Sequence, residues 1–170
     1  MAKFISAKEA AALISDGASI GVAGMGLSGF PEEVFCAIRD RFKETGHPKN
    51  LELHHASAMG DWGVGNNFDG WDKNPREVPL GPEAGVRGIS RLGEAGPGLV
   101  AKWTGAHVGS AFALRDLAVS NQLESWCFPQ GVAACLWREI AAGRPGLLTK
   151  VGLPPYSHRI PRVRWYFGSR

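Results

Sequence analysis

The residues best suited by type and spacing to do chemistry are three glycines, Gly24, Gly26 and Gly29, in a Gly-x-Gly-x-x-Gly pattern. The short apolar run Ala18–Ala23 precedes them and Pro31 follows, so the pattern predicts a strand, a glycine turn and a new helix. Glycines let a ligand approach the backbone, and the amides at a helix start favour an anion. Open α/β sheets bind ligands at such turns, so we expect the functional site here.

The same glycines also form the fingerprint of dinucleotide-binding folds. That fingerprint needs an acidic residue at the end of the second strand, where it holds a ribose hydroxyl. The second predicted strand, residues 50–57, ends instead in His54-His55-Ala56-Ser57. A nicotinamide-dependent oxidoreductase is therefore an alternative that lacks half of its signature.

Strands and helices alternate along the chain. Ser6 and Glu9 form a capping box before a first helix, and Pro31 begins a second one. The remaining predicted strands span residues 50–57, 99–103 and 123–128, and the remaining helices span 110–120 and 132–142, with a turn at Pro129–Gln130. This order predicts an α/β fold: an open, mainly parallel sheet with helices on both faces, in three layers. The apolar first strand is expected to be buried on both sides.

Four segments resemble a known family. Asp16–Pro31 is similar to the glycine-rich signature of class I coenzyme A transferases, with the spacing kept and Gly21, Ala23 and Met25 replacing family residues. Phe128–Gly131 and the following Leu136–Gly143 resemble the family's Pro-Gln-Gly segment and helix, and Gly105–Gly109 resembles its Gly-Gly-His segment with the second glycine replaced. The likeness is to the N-terminal, α-type half, in the acetate/propionate and 3-ketoacid branch.

The resemblance implies an enzyme that transfers coenzyme A between a short-chain acyl-CoA and a carboxylate such as acetate, propionate or a 3-ketoacid. Coenzyme A is then a substrate, and no tightly bound cofactor and no metal are expected. The resemblance assigns binding of coenzyme A or substrate to Gly24, Gly26, Gly29, Gly105, His107, Gln130 and Gly131.

The catalytic group that the family implies is a nucleophilic glutamate in its C-terminal half, which has no counterpart among these residues. Glu94 stands beside a glycine but in the wrong part of the chain, so no catalytic residue is assigned. The acids on predicted helices are expected to face solvent; they are Glu9, Glu32, Glu33, Asp40, Glu44, Asp116 and Glu139. We therefore expect a chain that is inactive alone and needs a complementary C-terminal, β-type half, forming an oligomer when complete. A non-catalytic α-type partner of a two-chain transferase is the other alternative.

The domain organisation predicted from this resemblance is a transferase-like domain over residues 1–153. An insertion is expected near 63–84, where Gly, Pro, Asn and Trp replace any periodic pattern. Residues 154–170 leave the family pattern abruptly, which indicates translation out of frame and a truncated protein.

Composition limits the other function classes. The chain has 170 residues, 44% hydrophobic and 21% charged, as in globular proteins. Its net charge of +3 owes much to the arginines of residues 154–170, so no basic face for nucleic acid is expected. No apolar run reaches the roughly 20 residues of a membrane span, and the first residues do not have the pattern of a signal peptide, which predicts a cytoplasmic protein. Cys36, Cys127 and Cys135 form no CxxC pair and are expected to be buried free thiols.

Overall fold

Four parallel strands form one sheet, and their order in the sheet follows their order in the chain. The computed structural model describes residues 3–25, 29–57, 60 and 87–151. Its strands are β1 (Ser19–Gly21), β2 (Leu51–His54), β3 (Val100–Gly105) and β4 (Glu124–Cys127). Parallel neighbours need a crossover between them, so each strand starts at the same edge and ends at the opposite one. The predicted open, parallel α/β fold is confirmed.

Five helices accompany the sheet: α1 (Ala7–Ala12), α2 (Glu32–Thr45), α3 (Ser90–Gly93), α4 (Phe112–Val119) and α5 (Gln130–Ala141), as far as the described residues go. The capping box predicted for α1 is present: Ser6 Oγ accepts the Glu9 N–H at 3.2 Å, and the Glu9 carboxylate accepts the Ser6 N–H at 2.8 Å. Helices α1, α2, α3 and α4 pack in that order, each against the next.

Three local predictions need correction. The predicted turn at Pro129–Gln130 is a helix start, because Pro129 is the N-cap of α5 and Gln130 its first residue. A 3-10 turn, Val108–Ser110, delays α4 to Phe112. The prediction that β1 is buried on both sides is wrong for the structure as described, because its first and last residues are exposed. Helix α3, only four residues long, was not predicted.

The core lies between the sheet and the helices. Leu51 and Leu53 of β2, Trp103 of β3 and Phe35 and Ile38 of α2 are almost completely buried. Burying one such side chain stabilises a fold by roughly 1.5 to 3 kcal/mol. This burial fixes the strand register, because a slip of one residue would turn the buried leucines of β2 to the opposite side.

The opposite side of the sheet is polar. Glu52, Lys102 and Glu124 are register partners on β2, β3 and β4, so they form a row of alternating charge across three strands. The Glu52 side chain is 43% exposed. Opposite charges on neighbouring strands support the register that the leucines establish.

Several predictions lie outside the described residues. They concern Gly26, the insertion near 63–84 and the segment 154–170. Within the part of the chain that the structure describes, no helix is long and apolar enough to cross a membrane.

Candidate functional site at the carboxyl edge of the sheet

The segments that leave the four strands meet at one edge, which we call the carboxyl edge. Hydrogen bonds beyond the strand ends tie these segments together: Val22 N–H to His54 C=O at 2.9 Å, His55 N–H to Thr104 C=O at 3.0 Å, and Phe128 N–H to Gly105 C=O at 2.8 Å. The candidate site residues that the structure describes lie at or after the ends of these strands. They are Gly24 and Gly29 after β1, Gly105 and His107 at the end of β3, and Gln130 and Gly131 after β4. The fold thus brings residues from three chain segments to one edge.

The glycine turn after β1 closes back on itself. Gly29 has a φ of +74°, in the left-handed region that favours glycine, and Gly24 has a φ of +142°. A Cβ built on Gly29 would lie 3.5 Å from the Gly24 Cα, so the two ends of the turn are close. Met25 between them is largely exposed. The turn presents backbone rather than side chains near Gly24 and Gly29.

The charges around this turn disfavour a dinucleotide. Helix α2 begins at Glu32, and Glu33 follows, so its first turn carries two carboxylates. The exposed Glu33 carboxylate would repel a diphosphate placed on these amides, whereas Glu32 is paired with Arg91. At the end of β2 stand His54 and His55, and burial lowers the pKa of each imidazole. Neither residue can replace the ribose-binding acid.

Gly105 has a packing reason to be glycine. A Cβ at this position would lie 2.6 Å from the His55 carbonyl oxygen and 2.7 Å from the Trp103 indole. Both distances are shorter than real Cβ contacts, so a side chain would push β2 and β3 apart. Its predicted contact with substrate remains a prediction, and the close approach of two strands accounts for the glycine without it.

The burial of His55 could not be predicted from the sequence pattern. The residue is 0% exposed, and its Nε2 accepts a hydrogen bond from Trp103 Nε1 at 2.7 Å. Burial lowers the pKa of the imidazole to about 4. The ring is therefore neutral at physiological pH. At the end of β2, Nε2 of this ring therefore has a hydrogen-bond partner in the core.

His107 lies at the exit of β3 and is exposed. Its carbonyl accepts a hydrogen bond from Ser110 Oγ at 3.0 Å, within the 3-10 turn. A Cβ on Gly109 would lie 3.2 Å from the imidazole Cε1, so the ring rests on that glycine. The small residue sets where the exposed imidazole lies at the carboxyl edge.

Cys127, at the end of β4, is bound to its neighbour strand. Its thiol donates to the Ala106 carbonyl at 3.0 Å, and burial raises the pKa of the thiol. A protonated thiol is a poor nucleophile, so this cysteine is unsuited to covalent chemistry. The expectation of buried free thiols is wrong for Cys135, which is exposed on α5.

The exit of β4 contacts the exit of β2. Gln130 Nε2, in the first turn of α5, donates to Ser57 Oγ at 3.3 Å. Gly131 follows, and a Cβ there would meet nothing within 4 Å. Open space beside Gly131 contrasts with the tight fit at Gly105. Ser57 was not singled out from the sequence, and its position next to the paired histidines was the only available signal.

The carboxylates on helices do not all face solvent. Glu32 accepts from Arg91 Nε and from the Gly88 N–H, both at 2.7 Å. Glu139 is 6% exposed and accepts from Arg144 Nη1 at 2.7 Å, which lowers the pKa of its carboxyl group. The predicted exposure of these two acids is wrong, because arginines from outside their helices fold over them.

Glu94, the acid that stands beside a glycine, is also held by arginine. It accepts from Arg39 Nη1 at 3.0 Å and lies 3.5 Å from Arg91 Nη1. Both guanidinium groups are nearly buried. An ion-paired carboxylate between α2 and α3 serves the packing of those helices rather than attack on a substrate.

At the carboxyl edge these residues form a candidate site in an open α/β fold. It offers a glycine turn, the start of α5, an amide side chain and an imidazole. Backbone amides and a carboxamide suit an oxyanion or a carbonyl better than a metal ion.

Comparison with known proteins finds similarity to coenzyme A transferases. The caffeate CoA-transferase of Acetobacterium woodii is 57% identical over 153 residues, 90% of this chain. The acetate CoA-transferase YdiF of Escherichia coli O157:H7 is 31% identical over 152 residues, 88% of this chain. A crystal structure of YdiF as a thioester complex with CoA matches 88% of this chain, at 28% identity and a TM-score of 0.71. The chain is therefore similar to part of these coenzyme A transferases, in agreement with the resemblance that the sequence motifs predicted.

The chain covers only part of the length of each of these relatives. The chain spans 25% of the caffeate CoA-transferase, 24% of YdiF and 26% of the crystallised YdiF chain. One subunit of a probable succinyl-CoA:3-ketoacid coenzyme A transferase of Bacillus subtilis is 28% identical, and the chain spans 49% of it. No family model matches the chain.

Proposed function

We propose that this chain is the N-terminal part of an enzyme that transfers coenzyme A between an acyl-CoA and a carboxylate. In this proposal the carboxyl edge forms one wall of the active site. Gly24, Gly29 and Gly131 let the thioester approach the backbone, and Gln130 and His107 offer polar contacts. The observation that carries the proposal is that the glycine turn and the start of α5 meet at one edge of the sheet. A protein of similar structure, YdiF, has been crystallised as a thioester complex with CoA.

The proposed reaction needs a nucleophile from outside these residues. A glutamate oxygen attacks the thioester carbonyl and expels CoA as a thiolate, which leaves an acyl-glutamyl anhydride. The thiolate then attacks the glutamyl carbonyl, releases the first carboxylate and forms a glutamyl-CoA thioester. The acceptor carboxylate runs these steps in reverse. Backbone N–H groups of this chain stabilise the oxyanions that form on the way.

Several carboxylates among the described residues are already engaged in the fold, which supports this division of roles. Hydrogen bonds already hold the carboxylates of Glu9, Asp16, Glu32, Glu94 and Glu139. We therefore propose that a complementary β-type half supplies the glutamate, either in the same polypeptide or as a partner subunit. The Bacillus subtilis relative is named as one subunit of its enzyme, which supports the second arrangement.

The test is an acyl exchange assay on the 170-residue chain alone, with radiolabelled propionate and acetyl-CoA. We expect no exchange above the protein-free background. Steady turnover would contradict the proposal that the nucleophile lies elsewhere. Calorimetric titration with acetyl-CoA and with NADH separates the alternatives, since tight NADH binding without CoA binding would favour an oxidoreductase.

A second acyl class has its own support. Identity to the caffeate CoA-transferase is 57%, against 31% for the acetate CoA-transferase YdiF. Caffeate and caffeoyl-CoA therefore belong in every binding and exchange assay beside acetate and propionate. A preference of the complete enzyme for caffeate would move the proposal from short-chain to aromatic acyl groups without changing the roles of the residues.

A further inference from the structure

One buried pair under the carboxyl edge is unused by the proposed reaction: His55 of the β2 exit and Trp103 of β3. Their ring centroids are 5.2 Å apart at 62°, an edge-on contact. An indole N–H is a donor only, so the His55 Nε2 that it meets at 2.7 Å must accept through its lone pair. The neutral imidazole therefore carries its proton on Nδ1.

The remaining ring donor, the Nδ1–H of His55, is buried two residues before Ser57 in the chain. No described residue meets normal hydrogen-bond geometry with Nδ1. The Ser57 backbone raises the pKa of the imidazole, although burial lowers it more strongly. The backbone N–H of His55 donates to the Thr104 carbonyl at 3.0 Å, which fixes the main chain where the turn at Ala56–Ser57 begins.

Ser57 passes this constraint to α5. Its side chain is nearly buried, and its Oγ accepts from Gln130 Nε2 at 3.3 Å. Gln130 itself is exposed at the start of α5. A line of polar groups therefore runs from Trp103 in the core, through His55 and Ser57, to a side chain at the carboxyl edge.

We propose that Trp103 and His55 are positioning residues for Gln130. The indole fixes the tautomer of the imidazole, the imidazole supports the Ala56–Ser57 turn, and the Ser57 hydroxyl holds the Gln130 carboxamide toward the acyl-CoA. The inference rests on the proposed function, because it takes Gln130 as a contact of the thioester.

The experiment measures acetyl-CoA binding to the 170-residue chain by calorimetry, after circular dichroism has confirmed folding. We expect Gln130→Ala, Ser57→Ala and Trp103→Phe each to weaken binding about three- to tenfold, the effect of roughly one hydrogen bond. Because all three act along one line, the Trp103→Phe/Ser57→Ala double variant should bind no worse than Ser57→Ala. Ser57→Thr keeps the hydroxyl and should bind like the wild type. Trp126→Phe is the matched control, since its indole N–H contacts Glu124 and not His55.

The outcomes separate the two proposals. If Gln130→Ala weakens binding while Ser57→Ala and Trp103→Phe bind like the wild type, the positioning role is overturned and the proposed function stands. If Gln130→Ala itself binds like the wild type, the place of Gln130 in the site is overturned as well.

A spectroscopic measurement keeps the test independent of folding and of affinity in the variants. In ¹⁵N-histidine-labelled wild-type protein, we expect the His55 ring to show the neutral Nδ1–H tautomer at pH 7. A dominant Nε2–H tautomer would overturn the inference. The Gln130 side-chain amide resonance should move in Ser57→Ala and Trp103→Phe but not in Trp126→Phe, and an unmoved resonance would overturn it too.

Discussion

At the scale of single residues, two glycines assigned the same role have different surroundings. A Cβ on Gly105 collides with the His55 carbonyl and the Trp103 indole, whereas a Cβ on Gly131 meets open space. Sequence comparison treats them alike because both are glycines in matching segments. The structure separates a glycine required by packing from one that leaves room at the carboxyl edge.

We predict opposite effects for alanine at these two positions. Gly105→Ala should destabilise the fold by about 2 to 3 kcal/mol, the cost of overpacking between two strands. Gly131→Ala should stabilise it by up to about 1 kcal/mol, because alanine favours a helix. Acetyl-CoA binding should nevertheless weaken in Gly131→Ala if a ligand occupies the open space. Urea unfolding and calorimetry measure the two effects, and equal stability changes in both variants would contradict the assignment.

The buried imidazole of His55 should make stability depend on pH. Burial lowers its folded-state pKa from 6.5 to about 4, so below pH 6.5 the unfolded chain takes up a proton that the native state does not. The associated stability is fully present above pH 6.5 and is lost as the pH falls toward 4. The full loss amounts to about 3 kcal/mol.

The measurement is the free energy of urea unfolding at pH 7, 6 and 5 for the wild type and His55→Asn. The wild type should lose stability across this range, and the variant, less stable at pH 7, should lose much less. Parallel losses in the two proteins would assign the pH dependence to other groups, such as His54, whose imidazole pKa burial also lowers.

At the scale of elements, an ion cluster joins α2 to α3. Arg39 contacts Glu94 at 3.0 Å and Asp40 at 2.8 Å, while Arg91 contacts Glu32 at 2.7 Å. Both arginine side chains are at most 10% exposed, so their charges need carboxylates. Helix α3 is too short to form alone, which is why no periodic pattern predicted it. Ion pairs with residues of α2 stabilise this helix instead.

Removing Glu94 should weaken this junction. In Glu94→Ala, Arg39 keeps Asp40 and Arg91 keeps Glu32, so we expect a loss of about 2 kcal/mol, less than for a buried charge left without a partner. Asp116→Ala is the control, because its pair with Arg115 is largely exposed and should contribute less than about 1 kcal/mol. Denaturant unfolding compares them. Similar losses for the two variants would refute a special role of the buried cluster.

The Asp-Gly pair that opens the glycine-rich signature also acts at the scale of elements. Asp16 accepts the Lys49 N–H at 3.0 Å and contacts His47 Nδ1 at 2.9 Å. Gly17 has a φ of +70° and donates its N–H to the Lys49 carbonyl at 2.8 Å. These contacts tie the start of β1 to the loop before β2. Part of the signature thus builds the sheet and does not line the site.

In the molecule as a whole, the described residues form a sheet with charged side chains on one side, and we propose that its carboxyl edge is one wall of a site. The helices α1 to α4 pack in sequence, and the row of Glu52, Lys102 and Glu124 lies on the opposite side of the strands from the buried leucines. The chain also spans only 25% of its caffeate CoA-transferase relative. Both facts are consistent with our proposal of a complementary half.

Reconstitution tests this proposal directly. The chain should regain exchange between an acyl-CoA and a carboxylate when mixed with the remaining part of the Acetobacterium woodii caffeate CoA-transferase, expressed separately. Because the proposed nucleophile comes from the added part, substitution of its glutamate should abolish exchange, while Gly131→Ala in this chain should raise KM. If exchange persists whichever glutamate of the added part is substituted, the proposal that the added part supplies the nucleophile would be contradicted.

Local sequence patterns were enough to predict the alternation of strands and helices, the capping box at Ser6 and the similarity to coenzyme A transferases. These features depend on residues close together in the chain, where apolar spacing, caps and turn residues act locally. Only the tertiary structure decided that Glu32, Glu94 and Glu139 are ion-paired, that Gly105 is required by packing, and that His55 is buried against Trp103. The partners of these residues lie on other segments, and a charge or a ring receives its role from a neighbour that only folding brings near.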